Sequence, residues 1–200
     1  MLALVALVAD PRFDASTWKF RGIGSISVAQ TLELAPGVPI EILPKMSLQE
    51  YIDVLPEYDV GLSLMLTPHP SLVPLEMASA GMCTVTNTFA NKTADRLRAI
   101  STNLIGVAPT VDGIRDGLLE ASSRVHDIDA RLAGAQVHWP TDWASAFPVE
   151  TINKLNAFLA DRGDAAPGIT AFRADHEIAG DERPMSVYQA TAALAKLDSA

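Results

Sequence analysis

The sequence predicts an α/β fold, a Rossmann-like parallel sheet with covering helices followed by a flexible tail. Three observations predict it. Short apolar runs recur with turn residues between them: VPIEIL at 38–43, DVGLSLML at 59–66, CTVT at 83–86 and LIGVA at 104–108. Helix signals fall between these runs, and the links are short. Strand and helix in alternation argue for a parallel sheet with helices on its faces, joined by right-handed crossovers.

The elements follow in chain order. Residues 1–9 are strongly apolar and read as a buried helix or strand, with a peripheral membrane contact as the lesser alternative. The run is too short to span a bilayer, which needs about 20 apolar residues, and no basic residue precedes it as in a signal peptide. A strand is expected within 18–26, followed by an undefined stretch up to Pro36. After the strand at 38–43, Ser47 and Glu50 have capping-box spacing. Leu48, Tyr51, Ile52 and Leu55 recur at helical spacing, and Pro56 stops that helix.

The run at 59–66 is apolar almost throughout, as suits a central strand covered on both faces. A loop at 67–74 carries Pro68, Pro70 and Pro74, and a short helix at 75–80 ends at Gly81. Strands at 83–86 and 104–108 precede a helix at 111–125. Residues 142–160 read as one or two helices broken at Pro148, with Trp143, Phe147, Ile152, Leu155 and Phe158 as the apolar set. The Gly-, Pro- and charge-rich stretch 162–184 reads as a flexible tail, with a last helix at 186–197. The expected division is therefore a domain at 1–160 and a tail at 161–200.

Composition excludes some functions. The formal net charge is −9, which gives no electrostatic reason to bind nucleic acid. A small phosphate ligand can still be held locally by backbone N–H groups. The single cysteine, Cys83, rules out an intrachain disulfide and a cysteine-cluster metal site. Its apolar neighbours mark a buried, inert thiol, and the expected compartment is the reducing cytoplasm. No transmembrane segment is expected.

The chemistry concentrates in 62–87. Ligands of open parallel sheets bind outside the carboxyl ends of strands, where the Pro-rich loop sits. The helix start near Pro74 offers free N–H groups to a diphosphate. Glu76, in the first turn, can accept two hydrogen bonds from a ribose diol, or it can simply be a favourable charge at a helix start.

The segment PLEMASAGMCTVTN resembles the proline–x–leucine–glutamate–alanine–methionine–alanine–x–glycine helix of retaining GT-B glycosyltransferases. LPKMSLQEY, DVGLSLML, PHPSLVPLEMASAG and TNTFANKT are similar to the C-terminal, nucleotide-sugar-binding domain of WsaF-like rhamnosyltransferases, and the likeness covers about 18–147. It implies half of a GT-B fold that binds a nucleotide diphosphate sugar, with dTDP-rhamnose a candidate, for transfer to a bacterial surface glycan. It implies that Glu76 holds the donor's ribose and that Ser71, Leu72 and Val73 line the phosphates. Lys45 falls where the family forms part of the base pocket. No metal and no separate cofactor are implied.

The sequence also departs from the pattern. The wider GT-B group has a second acidic residue eight positions before the helix glutamate. Here that position is Pro68, so a sugar contact is missing or is supplied by His69. The chain is expected to begin inside the helix that follows the family's first strand and basic glycine-containing loop. The N-terminal domain that binds the glycan acceptor and supplies the catalytic carboxylate or histidine is not among these residues. No residue here is therefore expected to be catalytic, and the chain alone is expected to transfer nothing.

Two rival readings stand beside this one. The chain could be a truncated, non-catalytic remnant that binds a nucleotide or a partner chain. A dehydrogenase would need G-x-G-x-x-G, but Gly22-Ile23-Gly24 is followed by Ser27 where the third glycine belongs. Bland alternatives also remain for single residues. His69 can be a loop constraint and Lys45 a solvated strand-end lysine. Asn87, Asn91 and Lys92 follow a strand end and can face the cleft, although turn chemistry alone explains the two asparagines. Trp139 and Trp143 anchor a terminal helix, and His126, Asp127 and Asp129 belong to a solvated loop whose spacing fits no standard metal site.

Overall fold

The computed structural model describes residues 1–161 apart from Ser25 and Thr141. They divide into two compact units, Met1–His138 and a second that begins at Trp139, and each is described on its own.

The first unit contains two three-stranded sheets. One is wholly parallel, in the order β4 (Val60–Leu62), β5 (Cys83–Asn87), β6 (Leu104–Val107). Every residue of the central strand β5 is buried, which explains its lack of polar alternation. Side chains alternate across its pleat. Cys83 and Val85 join Ile114, Leu118 and Ala121 of α5 (Val111–Arg124) and Ala3 and Leu7 of α1 (Leu2–Val8) in one core cluster. The apolar opening segment is thus a helix. The other face of the sheet carries α3 (Val73–Ser79) and α4 (Ala94–Ile100). A side chain at Gly106 would meet the Ala94 backbone, and one at Gly61 would meet Met77 of α3, so glycine at both positions allows this close approach.

The second sheet is mixed. β1 (Phe20–Ile23) runs parallel to β3 (Val38–Leu43), and β2 (Gln30–Ala35) pairs antiparallel with β3. The stretch left undefined by the sequence contains this edge strand. β2 is mostly exposed, so it lacks the apolar run that marks buried strands. Pro36 and Gly37 form its hairpin turn, and Gly37 takes φ 77°, which glycine adopts without steric cost. The expectation of parallel strands alone therefore holds for β4–β6 and not for this sheet.

Local signals place several boundaries. Ser47 and Glu50 form both halves of the capping box of α2 (Leu48–Val54), with Glu50 N–H to Ser47 Oγ at 3.2 Å and Ser47 N–H to Glu50 Oε2 at 2.7 Å. Pro56 lies in the 3-10 turn Leu55–Glu57. Leu55 is buried, whereas Leu48 is exposed and does not join the core. The strand expected over 59–66 stops at Leu62. α6 (Ile128–Gly134) occupies the segment read as a solvated loop, and Asp127 is its N-cap. Among the described residues no acidic, histidine or cysteine cluster could hold a metal.

A polar knot closes the amino ends of β4–β6. The Arg131 guanidinium donates to the Gly81 and Val125 carbonyls, both at 2.8 Å, and to Asp59 at 2.9 Å. Asn103 Nδ2 donates to the Ala78 and Arg131 carbonyls, and Ser101 Oγ donates to Gly134 O. This pole is tied together by side chains, and the longer loops lie at the opposite pole.

In the second unit, α7 (Trp143–Ala146) and α8 (Val149–Asp161) are separated at Pro148, as expected. Phe147, Leu155 and Phe158 of the expected apolar set are exposed, and Trp139 is half-buried. The expected tail and final helix lie outside the described residues. No described helix is long and apolar enough to cross a membrane.

Candidate functional site

The loops leaving the carboxyl ends of β4 and β5 form the candidate site. The β4 loop spans 63–72 and leads into α3, and the β5 loop spans 88–93 and leads into α4. Glu76 lies in the first turn of α3 and is half-buried. Burial raises its pKa above the usual carboxylate range, and a hydrogen bond from the Tyr51 hydroxyl of α2 opposes that shift. The structure thus pairs Glu76 with a residue that the sequence marked only as part of an apolar helix face. A tyrosine on such a face with its hydroxyl in need of a partner is the signal that could have found it.

The start of α3 is built for exposed backbone. Leu72 is its N-cap and offers no capping side chain, and Pro74 fills the first turn. The helix has seven residues, so its local N–H groups matter more than any macrodipole. Leu72 and Val73 are exposed, and Pro74 and Leu75 are buried. Ser71 adopts φ 72°, a left-handed conformation that non-glycine residues seldom take and that gathers at functional sites. Its N–H donates to His69 Nδ1 at 3.0 Å. This amide is therefore already engaged, and the imidazole proton sits on Nε2. His69 is exposed, and its own carbonyl accepts from Thr67 Oγ1 at 3.0 Å.

Lys45 follows β3. Its N–H donates to Ile26 O at 3.0 Å and its side chain is exposed. Ser71, Leu72, Val73 and Glu76 share one continuous stretch of loop and helix, with His69 hydrogen-bonded to its start. Lys45 belongs to the segment ahead of α2, the helix that carries Tyr51. Pro68 is exposed. A concavity of about 410 Å³ lies elsewhere, at the amino ends of β1 and β3, lined by Trp18, Arg21, Pro39 and Glu41 among others. It includes none of the predicted site residues.

The structure separates the three residues that followed the β5 strand signal. Asn87 is 1% exposed and Lys92 is 3% exposed. Asn87 Oδ1 accepts the Met65 N–H at 2.7 Å, Asn87 Nδ2 donates to Met65 O at 3.1 Å, and Lys92 Nζ donates to the same carbonyl at 2.6 Å. Burial lowers the Lys92 pKa. Asn91 is exposed, and its carbonyl accepts from Arg96. Cys83 is fully buried and burial raises its pKa, so it is the inert thiol expected.

A covered parallel sheet, with its ligand-competent loops gathered beyond the strands' carboxyl ends, defines a Rossmann-like domain of the kind that makes up half of a GT-B glycosyltransferase. Residues 1–119 match the family described as WsaF, C-terminal domain, and the chain belongs to that family, the GT-B glycosyltransferase C-terminal domain of WsaF rhamnosyltransferase. The match begins and ends earlier than the motif-bearing stretch at 18–147. It covers all six strands and runs into α5, and it includes Lys45, His69, Ser71, Leu72, Val73 and Glu76. No curated protein matches the chain.

Proposed function

We propose that the domain binds a nucleotide diphosphate sugar against α3 and the β4 loop, as the donor side of glycosyl transfer. Glu76 would accept hydrogen bonds from the ribose hydroxyls. Ser71, Leu72 and Val73 would lie along the diphosphate, His69 would face the sugar, and Lys45 would border the base. Membership of a glycosyltransferase family that acts on such donors supports this reading. The observation that carries it is Glu76 itself. A half-buried carboxylate, held against a tyrosine hydroxyl and desolvated enough to raise its pKa, needs hydrogen-bond donors, and a ribose diol supplies two.

The role in the reaction follows from charge. Departure of a nucleoside diphosphate is helped by donors fixed where negative charge develops. The uncapped first-turn amides of Val73 and Leu75 and the Lys45 ammonium are the groups available in a chain of net charge −9. Rhamnose carried on dTDP is the first donor to test, with a surface glycan held by a second domain as acceptor. The buried lone thiol fits a cytoplasmic setting. The test is titration of the chain with dTDP, UDP and their sugar conjugates, followed by amide chemical shifts. Shifts confined to Lys45, 69–76 and Tyr51 are expected. Saturable binding with shifts elsewhere, or none with any nucleotide, refutes the assignment.

A further inference from the structure

β4 ends at Leu62, and the last main-chain bond between its continuation and β5 is Ser63 N–H to Val85 O at 3.1 Å. Beyond it, the side chain of Asn87 stands in for a strand. Its amide engages both the N–H and the carbonyl of Met65. The Met65 carbonyl also accepts Lys92 Nζ at 2.6 Å and the Thr67 N–H at 2.9 Å. Three donors thus converge on one oxygen, and one of them is a cation. Among the described residues no carboxylate pairs with Lys92.

An unpaired buried ammonium is costly, and an apolar side chain would fill the same space more cheaply. The hydrogen bonds beyond Met65 indicate what the cation does there. Thr67, whose N–H is on the Met65 carbonyl, donates through Oγ1 to His69 O at 3.0 Å. His69 Nδ1 accepts the N–H of Ser71 at 3.0 Å, and Leu72 O accepts the N–H of Glu76 at 2.9 Å. These contacts lead from the buried clip to the strained residue Ser71, and the main chain continues from Ser71 directly into Leu72 and the first turn of α3, which carries Glu76. The β5 loop that carries Lys92 is itself held by paired main-chain bonds between Phe89 and Lys92, around Ala90 at φ 48°.

We propose that Lys92, with Asn87, is a positioning residue for the donor: it pins the Met65 carbonyl so that loop 63–72 and the start of α3 are ordered before a nucleotide arrives. The inference rests on the donor-site reading above for its consequence, but not for the pinning itself. A preordered loop binds more tightly because less freedom is lost on binding.

The test compares the full chain with Lys92→Met, which removes the cation and keeps an apolar stem, and Lys92→Gln, which keeps a neutral donor. Amide hydrogen exchange reads the pinning, and titration with dTDP and UDP reads its consequence. In Lys92→Met, exchange at Met65 and Thr67 should quicken at least tenfold while β5 and β6 amides stay protected. The thermal midpoint should not fall, and nucleotide affinity should drop about tenfold. Lys92→Gln should lie between wild type and Lys92→Met. Unchanged exchange at Met65 and Thr67 would overturn the proposal. So would faster exchange with unaltered affinity in a chain whose wild type binds. A wild type that binds no nucleotide sinks the donor-site reading, and exchange then decides the pinning alone. If neither variant folds, Lys92 is a core residue and the proposal falls.

Discussion

Replacing Glu76 by glutamine should weaken nucleotide binding without weakening the fold. The carboxylate is half-buried, and the Tyr51 hydroxyl acts on it to oppose the upward shift that burial causes, while its lone pairs can accept from the ribose diol. Glutamine keeps one acceptor and turns an N–H2 donor toward either Tyr51 or the ribose. A hydrogen bond to a charged group contributes about 1.5–3 kcal/mol, and 1.4 kcal/mol is tenfold in affinity. The expected loss is therefore about tenfold to a hundredfold. Stability should respond differently. Burial raises the folded-state pKa of Glu76, so the folded chain holds this proton more tightly than the unfolded chain. That contribution is complete below the unfolded value and is lost as pH rises through the raised one. The glutamine variant should lack this decline and should be as stable as wild type, or more so, at neutral pH. Calorimetric titration with dTDP and UDP measures the first effect, and thermal unfolding across the acidic to neutral range measures the second. Equal affinities in the two proteins, or an affinity loss matched by a stability loss, would refute the reasoning. Nucleotide affinity in wild type should also fall as pH drops through the raised pKa, because the protonated carboxyl loses acceptor strength.

Further expectations concern the scaffold. Gly117→Ala would put a Cβ 2.6 Å from Val107 Cγ1 and 3.1 Å from Val85 Cγ1, so α5 must move off the sheet. A loss of about 1–3 kcal/mol should appear in denaturant unfolding. Arg131→Met leaves the Gly81 and Val125 carbonyls without their charged donor, and a loss of about 1.5–3 kcal/mol is expected in the same assay. Ser47→Ala removes one half of the α2 capping box and should cost about 1 kcal/mol. Cys83, fully buried with a raised pKa, should react with a thiol reagent only as fast as the chain unfolds, and rapid labelling of the native chain would contradict that.

The loop and short helix of the candidate site were legible as elements because their signals are local. Pro70, Pro74 and Gly81 punctuate the chain around a short helix, and an acidic residue follows Pro74 by two positions. The Tyr51 contact to Glu76 was not legible, because tyrosine at helical spacing reads as core until the facing helix is known. Asn87 and Lys92 follow a strand end in the sequence, where turn chemistry alone accounts for the asparagine and cleft exposure is the lesser reading. That both side chains turn inward to Met65, more than twenty positions earlier, is a matter of where β4 and β5 part.

By itself the sequence determined the α/β class, the strands β3, β5 and β6, the Ser47 cap, the α5 helix and the break at Pro148. Each of these rests on period, propensity or capping within a few residues. Only the tertiary structure decided that β2 closes an antiparallel edge, that α4 and α6 exist, and that the apolar run after Leu62 leaves the sheet. β2 is mostly exposed, and α4 and α6 are seven-residue helices too short to hold themselves in water. They form because Leu97, Gly106, Asn103 and Arg131 give them something to pack against. β4 ends at Leu62 because beyond it a side chain of β5, Asn87, takes the place of main-chain partners, a competition between groups distant in sequence that no local pattern records.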